Sequence, residues 1–206
     1  MNYYLFLAVL LAVATSCHRS APELVDLGEV PAWQMLDQQG QTIGSATLKG
    51  RPWIANFLFT SCPTSCPPLA RATHDLQEKL RPLLGDKGTP PLQIVSISVD
   101  PETDTPQRLT EFGKTYGADP RIWHLATAGD DYAAMEKLVT QGFMLPVLRN
   151  DRTADGHVPA DKPTPLDTAH SLRFVLVDAR GHIVGLFDKD EPSLAKLVQT
   201  ATYLVQ

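Results

Sequence analysis

Two cysteines with three residues between them, Cys62 and Cys66, close the stretch FLFTSCPTSC at residues 57–66. If the second cysteine opens a helix, residues four apart share one face, with Cβ atoms roughly 5–6 Å apart. That reach serves a disulfide after small adjustment or the joint holding of one soft metal ion, Cu(I), Zn(II) or an iron–sulfur cluster. A thiol at a helix N-terminus lies near the positive end of the helix dipole, which favours thiolate. Thiol–disulfide exchange and metal binding both use thiolate, so position alone does not separate them. Three features lean toward metal. The spacing is CxxxC, where dedicated redox motifs use CxxC. Pro67 and Pro68 stiffen the helix entrance. A third donor type, His170, stands at the entrance of an apolar run, where two thiolates and one imidazole would suit copper. A structural disulfide is the rival reading, although so short a loop gains little from cross-linking.

The elements that must position these groups are legible from periodicity. Residues 52–59 (PWIANFLF) form a short apolar run, the signature of a strand buried on both faces. Leu69, Ala72, Leu76, Leu80 and Leu83 recur at helical spacing, predicting a helix from Cys66 to about residue 84. A second buried strand is expected at 92–99. Asp104-Thr105-Pro106 then signals a helix start, with Leu109, Phe112 and Tyr116 inward. Further expectations are a strand at 122–126, a helix at 130–141 and a short strand at 142–147. Two strands at 172–177 and 182–187 are joined by a Gly-containing turn, and a last helix covers 192–204. Upstream, Trp33, Met35 and Ile43 alternate with polar residues around Asp37–Gly40, as in a β-hairpin. The order gives an α/β thioredoxin-like fold: a central mixed sheet flanked by helices, with an N-terminal β-hairpin extension. The stretch 148–168 has no periodicity, is rich in proline and ends just before His170; loops of that size are usually functional or disordered.

The chain has 206 residues, 43% of them hydrophobic, which suits one globular domain of ordinary size. Its net charge of −5, with no basic stripe, gives no reason to expect a nucleic-acid partner. Residues 1–16 are uncharged and nearly all apolar from Tyr3 to Ala14. That is too short for a membrane span and suits a signal peptide. Small residues then precede Cys17, as in the lipobox of bacterial lipoproteins, where the cysteine is acylated. The expected organisation is a signal peptide at 1–16, a tether at 17–28 starting at lipidated Cys17, and one domain at 29–206. Export to the bacterial cell envelope, anchored in the membrane and facing the periplasm, means an oxidising compartment. It leaves Cys62 and Cys66 as the only thiols of the mature domain.

Four segments together resemble the SCO/SenC family of copper proteins: VPAWQMLDQQGQTI, FLFTSCPTSCPPL, SISVDPETDTPQRL and DTAHSLRFVLVDARGHIVGLFD. They occur in the family's order over residues 29–204. The resemblance implies a thioredoxin fold that binds Cu(I) and Cu(II) through Cys62, Cys66 and His170. It implies a role in assembling the dinuclear copper centre of cytochrome c oxidase subunit II, by delivering copper or, with a thiol reductant, by reducing that subunit's cysteines. Asp100 matches a family acidic residue expected near the pair. Copper hand-over by ligand exchange needs no turnover chemistry, so a metallochaperone is not an enzyme in the strict sense. The alternative is a thiol–disulfide oxidoreductase or redox sensor using Cys62 and Cys66 as its redox-active pair. A peroxide-reducing thiol enzyme is a weaker third reading. Among the remaining candidates, His74 is expected on a solvated helix face, His157 as at most an auxiliary copper donor, and Met144 in the core.

Overall fold

The computed structural model describes residues 22–83, 90–145 and 173–206. Seven strands form one mixed sheet: β1 (Gln34–Asp37), β2 (Thr42–Gly44), β3 (Trp53–Leu58), β4 (Gln93–Ser98), β5 (Trp123–Thr127), β6 (Phe174–Val177) and β7 (Ile183–Phe187). Their spatial order is β2-β1-β5-β4-β3-β6-β7. The central β5-β4-β3 block is parallel, while β1 and β6 run antiparallel to the strands they flank. Every residue of β3 is buried, because a parallel strand at the middle of a sheet is covered on both faces. The β1–β2 hairpin adds to the β5 edge. The chain joins the opposite side of the sheet through Leu27 and Gly28, which exchange backbone hydrogen bonds with Ile183.

Alternation along β3 assigns the two faces. Asn56 Nδ2 donates to Thr73 Oγ1 at 3.0 Å, so the Ile54, Asn56 and Leu58 side faces α2 (Cys66–Leu80). A Cβ placed on Gly113 of α3 (Pro106–Tyr116) would meet Leu125 of β5, which puts α3 on that face too. The Trp53, Ala55 and Phe57 side is covered by Phe143, whose ring centroid lies 4.9 Å from Phe57 and 6.0 Å from Trp53. The other helices are α1 (Ser45–Leu48), α4 (Tyr132–Lys137) and α5 (Glu191–Leu204). Thr105 caps α3 by accepting from the Arg108 amide, directly before Pro106, and Asp190 caps α5 by accepting from the Ser193 amide.

One expected strand is absent. Instead of a strand at 142–147, α4 runs on into a π turn, Leu138–Gly142, and Phe143 and Leu145 donate back to Leu138 O and Val139 O. The apolar character of the segment is spent on packing Phe143 against the sheet face, not on pairing an edge. Residues 146 and 147 lie outside the described residues. Met144, expected in the core, is 63% exposed with φ 54°, because the turn that buries Phe143 aims its neighbour outward. His74, expected to be solvated, is half-buried, and its ring lies close over Gly117.

Candidate metal centre

The cysteine pair stands where β3 ends and α2 begins. Cys62 is 5% exposed and Cys66 2%. The first turn of a helix normally leaves four backbone N–H groups without partners. Here Pro67 and Pro68 have no N–H to satisfy. The remaining first-turn donor, the Cys66 amide, points at the Cys62 sulfur, 3.3 Å away. Ser65, in the capping position, makes no side-chain bond to the helix; its hydroxyl lies 3.2 Å from the same sulfur. The Cys62 sulfur thus occupies the place of a capping side chain at the positive end of α2.

This geometry makes the two thiols unequal. Burial alone would raise the Cys62 thiol, but hydrogen bonds from Ser65 and the Cys66 and Thr64 amides outweigh it and hold the thiol below its ordinary value. Burial pushes Cys66 up to about 12, and the neighbouring Cys62 sulfur adds to the rise. Of the two, Cys62 is therefore the more readily ionised thiol. Neither cysteine is in a disulfide in this structure.

The parallel partner β4 delivers a second segment to the same end of the sheet. Ser98 is the register partner of Leu58, and the Val99 amide donates to Leu58 O at 3.0 Å. Asp100 follows directly. Its amide donates to Ser98 Oγ, and its carbonyl accepts from Thr103 and Asp104 in a tight turn. Asp104, read from sequence only as part of a helix start, is fully buried. Its carboxylate accepts from the Thr60 amide at 3.0 Å, the Thr60 hydroxyl at 2.5 Å and the Ser98 hydroxyl at 2.6 Å. Burial raises the Asp104 carboxyl above its ordinary value against those hydrogen bonds, with the Asp100 charge adding to the rise. Nothing in DPETDT distinguishes a buried aspartate from a solvated one. Ser65 was also missed, since a serine before a helix reads as an ordinary cap.

His170, His157 and Cys17 lie outside the described residues. Among the described residues no three His, Cys, Asp or Glu side chains cluster as a metal site. β6, the strand that follows His170, pairs antiparallel with β3, Val175 opposite Ala55 and Val177 opposite Trp53. The N-terminal end of β6 therefore lies at the end of β3 that leads into the cysteines.

The chain is 37% identical over 160 residues to a protein of Stutzerimonas stutzeri named for copper binding, covering 75% of this chain and 68% of that protein. It is 35% identical over 115 residues to the SCO1 protein homolog of Bacillus subtilis, 56% of either length. Among solved structures, a SCO1/SenC family lipoprotein from Bacillus anthracis superposes with a TM-score of 0.70 at 26% identity, over 91% of this chain and all of that one. BsSco, a member of the Sco family of cytochrome c oxidase assembly proteins, gives 0.68 at 26% identity over 88% and 96%. The SCO1/SenC family model matches residues 26–205. With that match spanning the whole sheet and the cysteine pair, the chain belongs to the SCO1/SenC family.

Proposed function

We propose that this chain is a copper metallochaperone that holds one copper ion through Cys62, Cys66 and His170 and assists assembly of the dinuclear copper centre of cytochrome c oxidase. The observation that carries the reading is the pair of buried sulfurs gathered at the end of β3, one of them serving as the cap of α2. Their donor chemistry fits copper: thiolates are soft ligands, and a soft, low-coordinate set favours Cu(I). The described residues supply two of the three donors. The third, His170, stands four residues before Phe174, and at about 3.3–3.6 Å per extended residue it has roughly 13–14 Å of reach from the start of β6. That start lies beside the end of β3. The copper binding for which the Stutzerimonas relative is named and the oxidase assembly for which the Sco family of BsSco is named point the same way. When bound, copper would supply the cargo that the client centre needs. The chain's part is to hold the ion on the two buried sulfurs, away from water, and to release it by ligand exchange to the client.

The test is a metal titration of the reduced domain. One Cu(I) per chain is expected, lost in Cys62→Ser and in Cys66→Ser. His170→Ala should weaken Cu(II) binding and abolish the thiolate-to-copper charge-transfer absorption. Unchanged spectra and affinity in His170→Ala would sink the ligand assignment.

The unequal thiols favour one further reading, a dithiol reductant. Cys62 thiolate would attack a client disulfide, Cys66 would then displace the client sulfur, and two electrons would pass to the client as the pair closes into a disulfide. A His170→Ala variant that still reduces the oxidised oxidase subunit while binding no copper would favour this role. Export with residues 1–16 as signal and 17–28 as a tether from lipidated Cys17 belongs to the same proposal. No helix among the described residues is long and apolar enough to cross a membrane. Recovery of Cys17→Ser with the membrane fraction would count against the anchor.

A further inference from the structure

The cysteine loop is fastened at two places, and only one of them belongs to the loop itself. At its exit, the Cys62 sulfur takes the Cys66 amide and the Ser65 hydroxyl. At its entrance, Thr60 is held by both its amide and its hydroxyl, and the acceptor comes from 44 residues further on. Between them the Cys62 amide closes a turn onto Phe59 O at 3.3 Å. Asp104 has no role in capping α3, which Thr105 performs. A carboxylate with no exposure is costly to bury unless its oxygens are satisfied. Here all of its observed hydrogen bonds go to Thr60 and to Ser98, the residue beside Leu58 in the sheet.

We propose that Asp104 is a positioning residue for the cysteine pair: it latches Thr60 and so holds the Phe59–Cys62 turn where the Cys62 sulfur meets the Cys66 amide. The inference rests on the reading of Cys62 and Cys66 as the working pair. The β4–α3 connection thereby becomes part of the site although none of its residues needs to touch the ligand. Register dictates the arrangement. Parallel pairing places the residues after Ser98 beside those after Leu58, and the Asp100–Thr103 turn folds the chain back so that Asp104 reaches Thr60.

The contrast that tests the latch is Asp104→Ala against Asp104→Asn in the reduced domain. An asparagine oxygen can still accept from the Thr60 amide, and the hydroxyls of Thr60 and Ser98 can rotate to accept from its NH2 group. Amide hydrogen exchange read residue by residue should show the Thr60 and Cys66 amides exchanging about five- to tenfold faster in Asp104→Ala, what one net hydrogen bond carries. Exchange across Trp53–Leu58 should stay as in the parent, and Asp104→Asn should restore Thr60 and Cys66 protection. Cu(I) affinity, measured by competition with a chromophoric chelator, should follow the same order. Thr60→Val, which removes only the hydroxyl half of the latch, should lie between the two and serves in place of Asp104→Ala if that variant does not fold. An unchanged Cys66 amide in Asp104→Ala would overturn the proposal, as would Asp104→Asn behaving like Asp104→Ala. Should the parent domain take up no copper, the proposed function falls, while the exchange contrast still decides the latch.

Discussion

At the scale of single residues, the site is defined by how differently its two sulfurs are treated. The Cys62 thiol is held below its ordinary value, and Cys66 is pushed up to about 12 by burial. Limited alkylation with iodoacetamide should therefore label Cys62 before Cys66, and its rate should reach half-maximum below the ordinary cysteine value of 9.0. Cys66→Ser should keep a fast-reacting thiol, and Cys62→Ser should leave only a slow one. Peptide mapping by mass spectrometry over neutral to alkaline pH makes the measurement; equal labelling of both sulfurs would refute the asymmetry. The pair itself was legible in the sequence, because cysteine spacing after an apolar run carries its own geometry. The Ser65 hydroxyl and the Asp104 carboxylate were not, because their roles depend on which way a side chain turns and on a neighbour 44 residues away. Met144 shows the same limit in reverse: an apolar residue in an apolar stretch, yet exposed.

At the scale of elements, the strands and long helices follow from periodicity, and their ends follow from particular side chains. The clearest end is that of α3. Gly117 sits at φ 69°, ψ 34°, the left-handed conformation that glycine adopts without penalty. Its carbonyl accepts from Gln77 Nε2, while the Asp119 amide donates to Gln77 Oε1, so a fully buried glutamine of α2 holds the end of α3. A Cβ at Gly117 would also lie 3.1 Å from two atoms of the His74 ring. Gly117→Ala should cost about 1–2 kcal/mol, the left-handed penalty for a residue with a Cβ plus displacement of the imidazole. Chemical denaturation reads the loss. Copper uptake should be unchanged, since the cap packs beside His74 and Gln77, about two to three turns along α2 from Cys66; a stability within error of the parent would refute the argument. The missed element, the expected strand at 142–147, fails for a reason of the same kind. Local apolarity does not say whether a segment pairs as an edge or lies flat on a sheet face. Here Phe143 packs against Phe57 and Trp53, and Gly142 comes so close to Pro31 that a Cβ there would lie 2.9 Å from the proline ring.

At the scale of the whole molecule, the sheet is a thioredoxin-like core extended by a hairpin, and a polar seam joins the two. Gln38, at the hairpin turn, donates to Trp123 O and accepts from the Leu125 amide, so a side chain takes the place of a paired strand along β5. Beside it, His124 lies with Nδ1 3.3 Å from the buried Asp37 carboxylate and Nε2 3.1 Å from the Gln93 amide nitrogen. Neutral imidazole satisfies both: Nδ1–H donates to Asp37, and Nε2 accepts from Gln93. Burial lowers the His124 pKa below its ordinary 6.5, with Arg51 acting in the same direction, and the attraction of Asp37 recovers only part of the shift. The folded chain therefore binds this proton less readily than the unfolded chain. Stability rises with pH across the window beneath 6.5 and is lost as pH falls through it, with a slope of at most about 1.4 kcal/mol per pH unit from one group. Denaturation midpoints measured from neutral pH downward should fall more steeply in the parent than in His124→Gln, which keeps a polar group but cannot take up a proton. The two curves should run parallel above pH 6.5, and parallel curves below it as well would show that the hairpin seam does not sense pH. Copper uptake at fixed pH should be the same in both, because Asp37 and His124 pair at the β1–β5 side of the sheet, with β4 and β5 between the hairpin and β3, the strand that leads into the cysteines.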